Sequence, residues 1–140
     1  MSCFQTNIRL NSYPRGFHLI TDEIIKAIEA SRDIRTGIAH IFIRHTSGSL
    51  SINENADPSV RKDFESHFNE FVPENAPYYI HTYEGPDDMP AHIKASLLGS
   101  SVTVPIAHGE LDLGTWQGIY LCEHRDKASG RNLTITLLGD

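Results

Sequence analysis

What the sequence lacks narrows it first. No apolar run approaches the roughly 18 residues of a membrane-spanning helix. The opening Met1-Ser2-Cys3-Phe4-Gln5-Thr6 has neither the basic nor the apolar region of a signal peptide, so a cytoplasmic chain is expected. Cysteine is scarce: Cys3 and Cys122 form no metal-type spacing and no disulfide framework, which fits a reducing compartment. Positive charge is in deficit, 12 Lys and Arg against 18 Asp and Glu, and a net charge of −6 excludes the basic footprint of a nucleic-acid binder. Repeats, linkers and low-complexity stretches are absent. A 140-residue chain with 39% hydrophobic residues is long enough for one domain, residues 1–140, with its own core. Against one tryptophan stand eight histidines, which turns attention to metal and acid–base chemistry.

The patterning reads as α+β: a compact domain of mixed or antiparallel strands, sandwich-like, with about three helices. Phe4 to Leu10 alternates as a first strand, and Phe17 to Ile20 makes a short second one. Thr21 caps a helix whose buried face is Ile24, Ile25 and Ile28, with Lys26, Glu29 and Arg32 outside it. Ile38 to Ile43 is apolar on both faces, the mark of a central strand. Leu50 and Ile52 alternate after a turn. Asp57-Pro58 starts an amphipathic helix carrying Val60, Phe64, Phe68 and Phe71, and Pro73 ends it. Tyr78 to Tyr83 reads as a short strand bearing His81, and Ala91 to Leu98 as a short helix with His92 in its first turn. Val102, Val104 and Ile106 form a strand that Pro105 marks as an edge or bulge. Thr115 to His124 is a long strand, with Trp116, Tyr120 and Cys122 on one face and Ile119 and Leu121 on the other. Leu133 to Leu137 closes the fold.

Between the Ile38 strand and the Asp57 helix the chain runs His45-Thr46-Ser47-Gly48-Ser49-Leu50-Ser51-Ile52-Asn53-Glu54-Asn55-Ala56-Asp57-Pro58. Folded as strand, turn, strand and capped helix, it gathers a nitrogen base, an amide and two carboxylates: His45, Asn53, Glu54 and Asp57. His45 is either a site residue or a strand-end histidine satisfied by a carbonyl. Glu54 and Asp57 serve as general base, as magnesium ligands, or, for Asp57, as an N-cap. Thr46-Ser47-Gly48-Ser49 offers backbone N–H groups to an anion but lacks the Gly-Lys of a phosphate-binding loop. His81 and His92, joined by His45, can make a zinc-type site with an open position, although no His-x-x-x-His pair supports it. Asp87-Asp88 reads as a solvated loop.

Three blocks together resemble the YjbQ-like family (uncharacterised protein family 47, also called secondary thiamine-phosphate synthases). They are His45-Thr46-Ser47-Gly48-Ser49-Leu50-x-Ile52-Asn53-Glu54-Asn55-x-Asp57-Pro58, Ala91-His92-Ile93-Lys94-x-Ser96 and Gly114-Thr115-Trp116-Gln117-Gly118-Ile119-Tyr120. Gly48 departs from the family's usual alanine. The resemblance implies a homotrimer and a pocket near a subunit interface. Its wall includes the positions of His45, Asn53, Glu54, His92, Thr115, Trp116 and Gln117. It also implies a weak thiamine-phosphate synthase activity, joining a pyrimidine diphosphate to a thiazole phosphate with release of pyrophosphate. On that reading His45, Glu54 and His92 are catalytic, and Thr46, Ser47, Asn53, Asp57, Thr115, Trp116 and Gln117 bind the small phosphorylated heterocycle. A divalent metal is the expected cofactor, zinc at His45, His81 and His92 or magnesium with the diphosphate. The competing expectation is a non-catalytic trimer that binds a small ligand or metal. A third is that the polar motifs only fix turns and an interface.

Overall fold

Alternating side chains sort the strands into two antiparallel sheets, and the apolar faces of both turn toward each other. The computed structural model describes residues 1–31 and 33–140, so the expectation for Arg32 lies outside the described residues. In chain order the elements are β1 Ser2–Arg9, β2 Gly16–Leu19, α1 Thr21–Ala27, β3 Gly37–Ile43, β4 Gly48–Glu54, α2 Pro58–Phe71, α3 Asp88–Leu98, β5 Ser101–Ala107, β6 Glu110–Leu111, β7 Gln117–Glu123 and β8 Asn132–Gly139. One sheet has the order β1-β8-β3-β5-β6, the other β2-β7-β4. None of the helices is long and apolar enough to cross a membrane.

The main core fills the space between the sheets. Ala39, Ile41 and Ile43 of β3 and Leu133, Ile135 and Leu137 of β8 meet Leu50 of β4 and Ile119 and Leu121 of β7. Each buried aliphatic side chain contributes about 1.5–3 kcal/mol. On the far side of the smaller sheet, Phe17, Tyr120 and Cys122 pack under Phe64 and Phe68 of α2. The smaller sheet is thus covered on both faces, whereas among the described residues the core packs on the inner face of the larger sheet, and Ile38, Phe42 and Leu138 of its outer face are exposed. Gly118 permits this packing: a Cβ there would lie 2.6 Å from Leu19 Cδ2 and 3.1 Å from Asn55 Cβ.

Several local expectations change. Thr21 does not cap α1; its Oγ1 accepts the Ile119 N–H at 2.9 Å, because tying the helix to β7 satisfies a strand-edge donor instead. The Tyr78–Tyr83 stretch is irregular rather than a strand, since Pro73, Pro77, Gly85 and Pro86 bracket it and no strand lies beside it to pair. The long strand begins at Gln117, leaving Trp116 outside it and 66% exposed. α3 begins at Asp88 and not Ala91, because a proline is tolerated in the first turn, where its missing N–H has no helical acceptor. That shift of three residues puts His92 in the second turn, one full turn beyond Asp88.

Candidate metal centre

The i, i+4 spacing of Asp88 and His92 on α3 sets both side chains on one helix face. The irregular segment before α3 returns His81 to the same point. His81 Nε2 lies 2.7 Å and His92 Nε2 3.0 Å from a single oxygen, Asp88 Oδ2, and the three ligating atoms fall within 4.8 Å of one another. The Asp88 side chain is almost fully buried, 3% exposed, while those of His81 and His92 are open at 42% and 32%.

The tautomer of His92 follows from its second nitrogen. Nδ1 lies 3.0 Å from the Thr46 carbonyl oxygen, which can only accept, so Nδ1 carries a proton. In the neutral ring Nε2 then presents a lone pair to a carboxylate oxygen that also only accepts. A positive charge is required between them, either a second ring proton or a cation. Donation of the remote ring N–H to a backbone carbonyl is also how metal-bound histidines are oriented.

Arg125 holds the carboxylates. Its Nη1 donates to Asp88 Oδ1 at 2.6 Å, its Nε to Asp87 Oδ2 at 2.9 Å and its Nη2 to the Glu84 carbonyl at 3.1 Å. Burial works to raise the Asp88 carboxyl, but the His81 hydrogen bond and the charges of His92 and Arg125 outweigh it and hold it below the usual carboxylate range. Asp87 is held down in the same way against its own burial, by the Asp126 N–H and Arg125. The reading of this pair as a solvated loop is therefore corrected: both are buried, because Arg125 repays their desolvation.

His92 also lines a cavity of about 330 Å³ with His45, Thr46, Gly48, Ala95, Ser96, Gly99 and Ser100. His45 Nε2 accepts the Asn132 N–H at 2.7 Å, so its proton is on Nδ1. Burial and then Arg131 lower its pKa against the pull of Glu123, which keeps the ring neutral. Below this floor the turn is clamped by buried charge. Arg131 reaches Glu123 through Nε at 2.7 Å and Nη2 at 2.5 Å, and Nη2 also donates to Ser47 O and Oγ at 3.1 Å. Gly48 leaves room for that guanidinium, since an alanine methyl would sit 3.3 Å from Arg131 Nε and 3.2 Å from Ile43 Cδ1. Ser49 Oγ lies 2.8 Å from His124 Nε2, and burial pushes the His124 pKa down to about 3. Cys122 is sealed in the interior and burial pushes its thiol up to about 12, which leaves it inert as a nucleophile.

The other expected site residues stand at the opposite end of β4 and β7. Six residues of strand separate Gly48 from Glu54, about 20 Å. There Glu54 Oε2 accepts the Asp57 N–H at 3.1 Å, and Asp57 Oδ1 accepts the Ser59 N–H at 2.9 Å as the N-cap of α2. Asn53 Oδ1 lies 2.8 Å from the Glu54 N–H. The Thr115 carbonyl accepts from Asn55 Nδ2 at 3.1 Å, and Gln117 Oε1 accepts the Gly114 N–H at 2.8 Å. Within one chain, His45, Thr46 and His92 line one cavity and His81 meets His92 at Asp88, so the expected His45, His81 and His92 ligand set is not assembled. Asn53, Glu54, Asp57, Thr115 and Gln117 stand at the other end of β4 and β7 with Trp116. Asp88 and Arg125 are the residues that sequence reasoning missed. The Asp-x-x-x-His spacing was the available signal, hidden by starting α3 too late.

A larger hollow of about 610 Å³ lies between α1 and the β5–β6 turn, lined by Ile28, Ile34, Leu111 and Leu113 among others. The smaller cavity is the better candidate, because His92 of the ligating cluster lines it, whereas none of the cluster lines the larger hollow.

Comparison with known proteins agrees with the architecture. The profile of the family described as UPF0047 protein YjbQ-like matches residues 6–140. UPF0047 protein YjbQ of Salmonella typhimurium is 52% identical over 137 residues, covering 98% of this chain and 99% of its own. UPF0047 protein YugU of Bacillus subtilis is 40% identical over 120 residues, covering 84% and 88%. Among solved structures, a YbjQ-like protein of unknown function from Sulfolobus solfataricus superposes with a TM-score of 0.88 at 27% identity over 99% of both chains. A conserved hypothetical protein from Thermus thermophilus reaches 0.81 at 31% identity, covering 95% of this chain and 99% of its own.

Proposed function

We propose that this chain, which belongs to the YjbQ-like UPF0047 family, is a metal-dependent enzyme acting on a small phosphorylated heterocycle, with thiamine phosphate formation as its reaction. One observation carries the proposal: two imidazole nitrogens converge on one oxygen of a buried carboxylate, at 2.7 and 3.0 Å, an arrangement that needs positive charge and presents three donor atoms with which to bind a metal ion. The donor set fits a transition metal such as zinc better than magnesium, which prefers oxygen ligands alone. Tetrahedral ligation at about 2.0 Å separates ligand atoms by about 3.3 Å, against 2.7 and 3.0 Å from Asp88 Oδ2 to the two histidine nitrogens and at most 4.8 Å between any two of the three atoms. Asp88 replaces His45 in the expected ligand set.

The cavity supports a metal for a second reason. Among the described residues, no lysine or arginine lines it. Lys94, on the same helix, is buried and donates to Asn69 Oδ1 at 2.8 Å, while Arg125 and Arg131 are engaged by carboxylates. A bound divalent ion supplies the charge that a phosphorylated ligand needs. His45, neutral and fixed by the Asn132 N–H, keeps Nδ1–H as a donor for a phosphate oxygen, and the hydroxyls of Thr46, Ser96 and Ser100 add further donors. In the reaction the bond from the pyrimidine methylene carbon to the diphosphate oxygen breaks. A carbon–nitrogen bond to the thiazole forms, and pyrophosphate leaves. The protein acts in the cytoplasm as a homotrimer, and Glu54, Asp57, Trp116 and Gln117 reach the reaction from a neighbouring copy.

Metal analysis of tag-free protein beside three variants tests this. Wild type should carry a divalent transition metal that Asp88→Asn and His92→Ala lose and His45→Ala retains. Product formation should stop in the first two variants and on chelation. A metal-free, folded wild type that takes up no zinc would defeat the proposal. Stoichiometric metal without turnover of the two phosphorylated substrates would instead favour a ligand- or metal-binding protein.

A further inference from the structure

The hollow of about 610 Å³ shares no lining residue with the histidine cavity, so the proposed reaction gives it no role. Its size is that of a small-molecule site, a range of about 300–1,000 Å³. The periodicity of α1 assigns Ile24, Ile25 and Ile28 to one buried face, yet only Ile24 is fully buried. Ile25 is 45% exposed, and with Ile28 it lines the hollow instead. Leu111 and Leu113 line it from the β6 side. Ile34, Ile106 and Leu137, buried members of the main core, complete the apolar wall, so the hollow is an open end of that core.

Backbone hydrogen bonds fix both sides. After α1 the Ser31 N–H donates to the Ile28 carbonyl at 2.9 Å and the Ile34 N–H to the Ser31 carbonyl at 3.1 Å. Opposite, His108 and Gly109 form the two-residue turn between β5 and β6, both at positive φ, 53° and 77°. Asparagine, aspartate or glycine is usual at the first of these positions; here an imidazole is set on the wall of the hollow. The Gly109 N–H donates to the Arg35 carbonyl at 3.0 Å and the Asp112 N–H to the Pro105 carbonyl at 2.8 Å. Walls held in this way need little ordering when a ligand enters.

The polar groups are few, and one cation among them is unpaired. Among the described residues the arginine ion pairs belong to Arg15, Arg125 and Arg131. Arg35 has none there, although Glu29 and Glu110 also line the hollow, and Glu29 is already engaged. The Arg35 guanidinium lies against the turn instead, where a Cβ on Gly109 would come within 3.3 Å of Nη1. We propose that the hollow binds an aliphatic carboxylate, its head on the Arg35 guanidinium and its chain against Ile25, Ile28, Ile34 and Leu113. A guanidinium matches a carboxylate through two parallel N–H donors. The body is aliphatic because branched aliphatic side chains supply the apolar lining. Among the described residues no Phe, Tyr or Trp there offers a ring to stack on. The inference rests neither on the metal cluster nor on the proposed reaction.

Isothermal titration calorimetry of the full-length protein with decanoate, kept below its micelle concentration, tests it. Decanoate should bind once per chain, and decylamine, with the same chain and the opposite charge, about tenfold or more weakly. Arg35→Gln should weaken decanoate by about tenfold or more and leave zinc uptake unchanged. Ile25→Trp fills the hollow and should abolish binding with an unchanged far-ultraviolet spectrum. A wild type that takes up no decanoate would overturn the proposal, and so would decylamine binding equally well. Binding that survives Ile25→Trp would place the ligand elsewhere. Binding lost in Ile25→Trp but untouched in Arg35→Gln would overturn the carboxylate assignment.

Discussion

The two ends of β4 are built from the same kinds of residue and use them in opposite ways. At the Glu54 end, every polar group named closes on a neighbour in sequence or on the adjoining loop: Glu54 on the Asp57 N–H, Asp57 on Ser59, Gln117 on Gly114. At the Gly48 end, polar groups are buried and held by partners far along the chain, 84 residues for Ser47 and Arg131 and 75 for Ser49 and His124. Local closure spends a carboxylate on shaping the backbone. Long-range closure fixes a floor and leaves His45 and His92 open above it. The difference separates a helix start from a site, and it can be broken from either end.

The largest effect is expected at the floor. Glu123→Ala leaves Arg131 as an unpaired buried charge and should cost about 3–5 kcal/mol in urea unfolding. Glu54→Ala loses one exposed hydrogen bond and should cost less than about 1 kcal/mol. Equal losses would erase the contrast. The next effect is in pH. The folded pKa of His124 is lowered to about 3 from 6.5, so the unfolded chain takes up the proton first as pH falls. The stability it contributes is whole above pH 6.5 and drains toward pH 3, at up to about 1.4 kcal/mol per unit. His45, also lowered, adds in the same direction. Asp87 and Asp88, held below the usual carboxylate range, lose their contribution only further down. Unfolding midpoints between pH 7 and 5 should therefore fall, and His124→Gln should flatten that slope. An unchanged slope in the variant would place the lost stability elsewhere.

How legible this was in the sequence depended on the range of the interaction. The strands around Ile41, Ile119 and Ile135, and the helix carrying Phe64 and Phe68, follow from periodicity, because burial repeats at every turn or every second residue. Asp57 as a cap was equally open to reading, since its acceptor role is satisfied two residues on. Asp88 was not. Its neighbours in sequence suggest a solvated loop, and what buries it is Arg125, 37 residues later. His81 was placed on a strand that has no partner, yet it still reaches His92, their rings 5.4 Å apart. Spacing shows only the short contacts. The pairs that build the His81, Asp88 and His92 cluster close across a loop whose path the residues do not encode locally.

Smaller effects sharpen the far end of β4. Asp57→Ala removes the N-cap of α2 and should lower the thermal midpoint by a few degrees, while Asp57→Ser should restore most of it. Restoration by serine would show a cap. A variant that is as stable as wild type but inactive would show a substrate contact.

Trp116→Ala is expected to do least. The side chain is 66% exposed, and the hydrogen bond at its position, a carbonyl accepting the Asn55 N–H at 2.9 Å, belongs to the backbone and survives any substitution except one that moves the chain. Stability should change by no more than about 0.5 kcal/mol, and metal content should match wild type, because no ligand lies at that end. Kinetics then decide what a large exposed indole is for. An unchanged KM with unchanged stability would make it a bystander. A raised KM with metal and stability intact would mean that the indole meets substrate. Since its own chain's cavity is at the other end of β4, the substrate it meets would be in a neighbouring copy.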